Sequence, residues 1–253
     1  MRCVGILRAF RVTAALLLAC GLSPAFADPL LDDIPSSGDL SSLRTQQFLY
    51  FAGFDLWRNG SAFYGGAQWA PGGLNSDGFT MKMLLAEGSY KYLSGGTDTR
   101  GTYLLASVMP VWRIKRCDLE VKVFAGLDLQ NHRLSPDDLT NTLRGNHAGL
   151  RVNADLWWEP LQTQMMLALS ISGSTIGNSF GIRGGAGWRV SDRFWAGPEV
   201  ETSGDEVYRQ YRVGAHVTSL RTGDFEWTLG AGYVEDNSHR SGAYGRLSVL
   251  TRR

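Results

Sequence analysis

From Leu119 to Leu129 the chain alternates an apolar residue with a mostly polar one (Leu-Glu-Val-Lys-Val-Phe-Ala-Gly-Leu-Asp-Leu). Successive side chains of a strand point to opposite faces, so this run builds a strand with one apolar face and one polar face. The two-beat rhythm recurs almost to the last residue. It predicts twelve strands, at roughly 48–58, 61–70, 79–92, 102–112, 119–130, 147–158, 163–172, 179–190, 194–202, 210–219, 225–234 and 243–251. One such hairpin suits any soluble sandwich. A dozen in succession point to an all-β, antiparallel up-and-down transmembrane β-barrel.

The alternation also assigns faces. Sets such as Leu119/Val121/Val123/Ala125/Leu127/Leu129, Phe180/Ile182/Gly184/Ala186/Trp188/Val190 and Tyr211/Val213/Ala215/Val217 are predicted to face lipid. Glu120, Lys122, Asp128, Arg151, Asp155, Arg183, Arg212 and His216 fall on the opposite, inner faces. A charge near the midplane of a lipid-facing strand costs about 2–4 kcal/mol, so charges belong on the inner wall. Aromatics near the ends of the outward faces (Trp158, Trp188, Tyr211, Tyr233) suit interfacial girdles. Connections are predicted to be short at the end holding both termini and longer at the other, the longest running from 131 to 146. An even strand count, short periplasmic turns and both termini on one side agree with one another. A soluble sandwich or a lipocalin-like periplasmic barrel shares the alternation. Strands of about ten residues with near-continuous apolar faces favour the membrane.

The N-terminus fits export. Arg2, Arg8 and Arg11 form a basic n-region ahead of an apolar core at Val12–Leu18, and Ala25-Phe26-Ala27 is a small-x-small cleavage site. Residues 1–27 are therefore expected to be a cleaved signal peptide, 28–47 a flexible periplasmic lead-in carrying Pro29 and Pro35, and 48–253 a barrel in a bacterial outer membrane. A rival reading takes Leu17-Leu-Ala-Cys20 as a lipobox with Cys20 lipidated. Removing the three leader arginines turns the formal net charge of +1 into −2, which gives no basic footprint for nucleic acid. Cys3 and Cys20 fall in the leader, so Cys117 is expected to stand alone without an internal disulfide. The chain's 31 glycines, 8 Trp, 9 Tyr and 11 Phe suit curved strands in a membrane.

Little in the chain suggests catalysis. His132, His147, His216 and His239 have no metal-ligand spacing, there is no Cys-x-x-Cys, and no metal or cofactor is expected. His132 is placed in the long outer loop with Asp137 and Asp138, a pairing that leaves a surface hydrolase open as a lesser alternative. His216 is expected to hydrogen-bond a neighbouring carboxylate inside. Adjacent strands bring Glu199 and Glu201 beside Arg212, with Glu199 and Arg212 read as a cross-strand pair, and Asp55 and Asp155 come from other inner faces. These charges either fill the lumen or line a narrow porin-like path for small polar solutes. A barrel of eight strands holds only side chains, one of 16 to 18 an aqueous channel, and twelve lies between. Trp57, Trp157 and Trp195 are also placed inside, with Tyr90 and Tyr92 near the outer end of the third strand. Flat rings beside carboxylates suit a polysaccharide surface, or simply fill space.

Particular runs carry a resemblance. Phe51-Ala-Gly-Phe-Asp-Leu-Trp57, Leu134-Ser-Pro-Asp-Asp138, Ala196-Gly-Pro-Glu199 and Tyr208-Arg-Gln-Tyr-Arg-Val-Gly-Ala-His216, in this order and spacing, resemble the cellulose biosynthesis protein BcsS family. The resemblance covers about Tyr50 to Val249. It implies a non-enzymatic accessory role at the outer membrane in secreting, anchoring or organising cellulose. Membrane lipid, cellulose and other components of the synthase complex are the partners it implies. It carries over no catalytic residues. Asp137, Asp138, Glu199, Arg209, Arg212 and His216 match its motifs, each with a structural reading beside the functional one.

Overall fold

The structure is a computed structural model that describes residues 46–190 and 193–253. The predicted leader, most of the lead-in and Cys20 lie outside the described residues. Within them the chain forms β1 (Phe48–Trp57), β2 (Gly60–Trp69), β3 (Gly78–Ser94), β4 (Thr97–Arg116), β5 (Leu119–Ser135), β6 (Gly145–Trp158), β7 (Met165–Ser174), β8 (Phe180–Val190), β9 (Phe194–Gly204), β10 (Arg209–Thr222), β11 (Phe225–Asp236) and β12 (Ser241–Arg252). Every strand pairs antiparallel with its sequence neighbours, and β1 pairs with β12 to close the barrel. Closure leaves no unpaired edge, the condition for a sheet to cross a bilayer.

The faces follow the alternation. Leu127 is 62 % and Leu129 52 % exposed, while Glu120, Lys122 and Asp128 between and below them are buried. Apolar exposure on this scale is tolerable only against lipid. From Leu119 to Leu129 the outward apolar row rises about ten residues; at ~3.3 Å each and a tilt of ~40° this is ~25 Å, the apolar height of a membrane barrel. Trp69, Trp112, Trp158 and Trp188 ring the wall near the end that holds the termini, each well exposed.

Three features differ from the sequence expectation. β4 and β5 are longer than the alternation suggests, and the long connection shrinks to 136–144 because residues 131–135 still pair with β4. There both faces are polar, with Asn131 and Arg133 outward and His132 inward, so the backbone ladder continues where the side-chain rhythm fades. His132 is consequently a β5 residue, 1 % exposed, and not a loop residue beside Asp137. Cys117 is disulfide-bonded, against the expectation of a lone thiol, and the only other cysteines, Cys3 and Cys20, lie outside the described residues.

The terminal Arg252-Arg253 pair has a structural account. The Arg253 carbonyl accepts the N–H groups of Gln47 and Phe48 at 2.8 Å each, tying the chain's end onto the start of β1. Its guanidinium reaches Asp224 at 2.9 Å, and that of Arg252 reaches Glu226 at 2.9 Å. The last residues thus fasten the seam where the barrel closes.

Candidate functional site

Closure of β1 onto β12 sets inner-wall residues of β1, β9, β10 and β12 side by side, and there the charges meet. Asp55 receives Arg212 Nη1 at 2.7 Å and Arg246 Nη2 at 3.2 Å. Arg246 Nη2 also lies 2.6 Å from Glu201 Oε2, and Arg212 Nε 3.7 Å from Glu201 Oε1. The register sets Arg212 opposite Glu201 and Glu199 opposite Gly214, so the expected Glu199–Arg212 pair does not form. Glu199 instead takes Arg183 Nη2 at 2.7 Å and the Tyr244 hydroxyl at 2.6 Å. All these groups are buried. Charges withdrawn from water persist only when paired and hydrogen-bonded, and this lattice pairs them.

The other predicted inner residues take their places around it. The Trp57 ring lies under the Arg212 guanidinium at 5.1 Å, and Trp195 under Arg189 at 4.4 Å. Trp157 Nε1 donates to Glu159 at 2.8 Å, and Asp155 accepts the Ser170 hydroxyl at 2.7 Å. Trp57, Trp157 and Trp195 are 3–5 % exposed, so their faces are occupied by the protein's own groups rather than offered to a ligand. His216 Nε2 lies 3.3 Å from the Ala186 carbonyl oxygen, a backbone partner.

Two further layers hold charges that the alternation had placed inside without pairing them. Toward the termini, Glu120 gathers Arg113 at 3.3 Å, Lys122 at 3.4 Å and Lys115 at 3.8 Å, while the Lys82 ammonium sits 4.6 Å from the centre of the Phe51 ring. Higher up, Asp128 binds Arg151 at 3.0 Å and accepts from Ser107, Gln130 and Ser174. Arg246 escaped notice, although it keeps inward parity with Tyr244 and Ser248 in Tyr-Gly-Arg-Leu-Ser, where glycine and the following leucine hide the rhythm. A cavity of about 20 Å³ beside Trp157, Arg183, Glu199 and His216 has room for about one water. Fully buried Arg113 and Lys122 at one end and Tyr92 and His132 at the other show that side chains fill the lumen along its length.

At the end opposite the termini the connections lock over the mouth. Thr142 of the β5–β6 connection and Asn178 of the β7–β8 connection both donate to Glu206 of the β9–β10 connection, at 3.0 and 2.8 Å. The Tyr92 hydroxyl donates to Asp138 at 3.0 Å and accepts from Asn141 at 2.9 Å. Asp137 pairs with Arg144 at 2.7 Å. Bonds from the Thr140 hydroxyl, Ser94 and Tyr92 hold the Asp138 carboxyl down at about 2, which makes it a weak general base. Asp205 goes the other way. Burial pushes its carboxyl up to about 8, although Oδ1 accepts the N–H groups of Val207 and Tyr208. Arg209 begins β10 half-buried, its side chain crossing Gly204. Among the described residues no group of three or more His, Cys, Asp or Glu is placed to hold a metal ion, and no helix is long and apolar enough to cross a membrane.

Comparison with known proteins adds a family. A family model described as "Cellulose biosynthesis protein BcsS" matches residues 49–253. No curated protein matches the sequence. Among solved structures the chain is similar to a KdgM porin (11 % identity, 80 % of this chain and 98 % of that one, TM-score 0.45). It is also similar to LpxR from Salmonella typhimurium (9 % identity, 81 % and 99 %, TM-score 0.47) and to the TodX monoaromatic hydrocarbon channel (7 % identity, 91 % and 95 %, TM-score 0.48).

Proposed function

The chain belongs to the cellulose biosynthesis protein BcsS family, and from that footing we propose that it is a non-enzymatic outer-membrane barrel that organises or anchors cellulose export at the cell surface. The observation that carries this reading is the filled lumen. The Asp55–Arg212–Arg246–Glu201 lattice projects from β1, β10, β12 and β9 into the interior where a glucan or a stream of solute would have to pass. The barrel therefore works with its surfaces, as a platform in the membrane beside the export machinery, with the termini in the periplasm and the interlocked connections outside.

The supports for a non-catalytic role are chemical. The outer-loop aspartates are engaged by Arg144, Thr140 and Tyr92, and His132 is buried inside the wall, its ring nitrogens on Tyr90 and Gln130. A hydrolase at the rim would need a free acid and base together. Deleting the gene is expected to lower or reorganise extracellular cellulose, read by dye binding and fibre imaging. The Asp137→Asn/Asp138→Asn double variant is expected to restore the wild-type state. Unchanged cellulose in the deletion strain overturns the role. Failure of the double variant alone, with folded protein in the membrane, turns the reading to catalysis.

A further inference from the structure

The lipid-facing wall changes character in register across β3, β4 and β5. Strand pairing lines up Leu85, Ala106 and Leu129 in one outward row, and Glu87, Leu104 and Asn131 in the next. Above these come Ser89, Thr102 and Arg133, then Lys91, Arg100 and Ser135. Below the cations the apolar rows close at Leu85, Leu104 and Leu129, 62, 56 and 52 % exposed, and above them a single exposed leucine, Leu93, follows Lys91 on β3. The cations begin one to two rows higher, where the headgroups of a bilayer lie.

Their arrangement is unfavourable for a bare sheet. Lys91 and Arg100 are direct cross-strand partners, and Arg133 is diagonal to Arg100 on the next strand. Like charges so placed repel, and strand alternation asks only for polar residues here. Two acids share the face. Glu87 lies two rows below Lys91, while Asp98 already holds Arg240 at 3.2 Å. Three exposed cations thus face one unengaged carboxylate. Beside them an open groove of about 520 Å³ straddles the boundary, with Phe54, Phe63 and Leu104 along its apolar side and Glu87, Ser89, Thr102 and Arg133 along its polar side, Lys91 and Arg100 lying just above it. An amphiphile with an anionic head fits both halves.

We propose that this face of β3–β5 seats one phosphate-bearing lipid of the outer leaflet, with Lys91, Arg100 and Arg133 on its phosphates and the apolar rows beneath on its acyl chains. The proposal rests on the outer-membrane placement given above. Long Lys and Arg side chains reach a headgroup from the wall while their stems stay on apolar surface. The lipid in turn neutralises the repulsion that the sheet alone leaves. A platform for an exported polymer gains from such a seat, which orients the barrel toward one lipid surface.

Native mass spectrometry on the full mature protein in neutral detergent tests this, with diphosphoryl lipid A as probe. Each cation near a charged lipid surface contributes about fivefold, so the Lys91→Gln/Arg100→Gln/Arg133→Gln variant should bind about a hundredfold more weakly than wild type. The single variant Arg133→Gln should lose about fivefold. Arg253→Gln, at the opposite end against Asp224, should bind as wild type does. Heat-modifiable gel mobility reports that each variant is folded. Equal affinity of wild type and triple variant overturns the proposal, as does equal affinity for lipid A stripped of its phosphates. Displacement by millimolar inorganic phosphate marks a free-ion site and also overturns it. Loss of lipid selectivity leaves the cellulose role standing, unchanged cellulose on deletion leaves the lipid seat standing, and absence from the outer-membrane fraction sinks both.

Discussion

Replacing Asp205 by Asn should make the barrel more stable at neutral pH, and the gain should vanish in acid. Asp205 is 4 % exposed in the β9–β10 connection, and its Oδ1 accepts Val207 N–H at 2.7 Å and Tyr208 N–H at 3.1 Å. Burial raises its carboxyl from an ordinary 3.8 to about 8, so at pH 7 the folded protein keeps a proton that the unfolded chain has released. A raised value means stability that is whole below 3.8 and is lost as pH climbs toward 8. The loss is ~1.4 kcal/mol per pH unit, hence on the order of 4 kcal/mol at pH 7. Asn retains the Oδ1 acceptor and has no proton to hold. Its extra buried N–H subtracts ~1 kcal/mol or more, equally at every pH. The diagnostic is therefore the slope. Urea unfolding in detergent, followed by tryptophan fluorescence and heat-modifiable mobility at pH 4.5, 6, 7 and 8.5, should show the variant's advantage growing by ~1.4 kcal/mol per unit and levelling off above about 8. Groups common to both proteins cancel in the difference. A difference that does not change with pH refutes the assignment of Asp205 as a buried neutral acid.

Other outcomes follow from the same structure. Asp55→Ala leaves Arg212 and Arg246 without their shared carboxylate and should cost ~3–5 kcal/mol in urea unfolding, and a cost under ~1 kcal/mol would deny the lattice its role. Wild-type protein inserted into a planar bilayer should pass no steady ion current, whereas reproducible conductance steps would show an open path past the lattice. Gly126→Ala drives a Cβ into the Val108 carbonyl oxygen and should cost ~1–3 kcal/mol. Gly245→Ala meets nothing within 4 Å and should change stability by less than ~0.5 kcal/mol; equal effects at the two sites would contradict the strand packing.

What the chain alone determined is local and two-fold: which residues are strands, and which of their side chains share a face. Glu120, Lys122, Asp155, Arg183 and Arg212 were placed inside by parity, and inside is where they lie, because a strand cannot turn one residue over without turning all of them. Where both faces are polar the rhythm disappears, which hid the upper ends of β4 and β5 and misplaced His132. Partners on strands far apart in the chain were beyond the reach of any local pattern. Asp55 and Arg212 are 157 residues apart, and only the closure of β1 onto β12 brings them within 2.7 Å. The same closure decided that Glu199 answers Arg183 rather than Arg212, and that the interior is filled. Periodicity states the direction in which a side chain points; the curvature and circumference of the closed sheet state what it meets there.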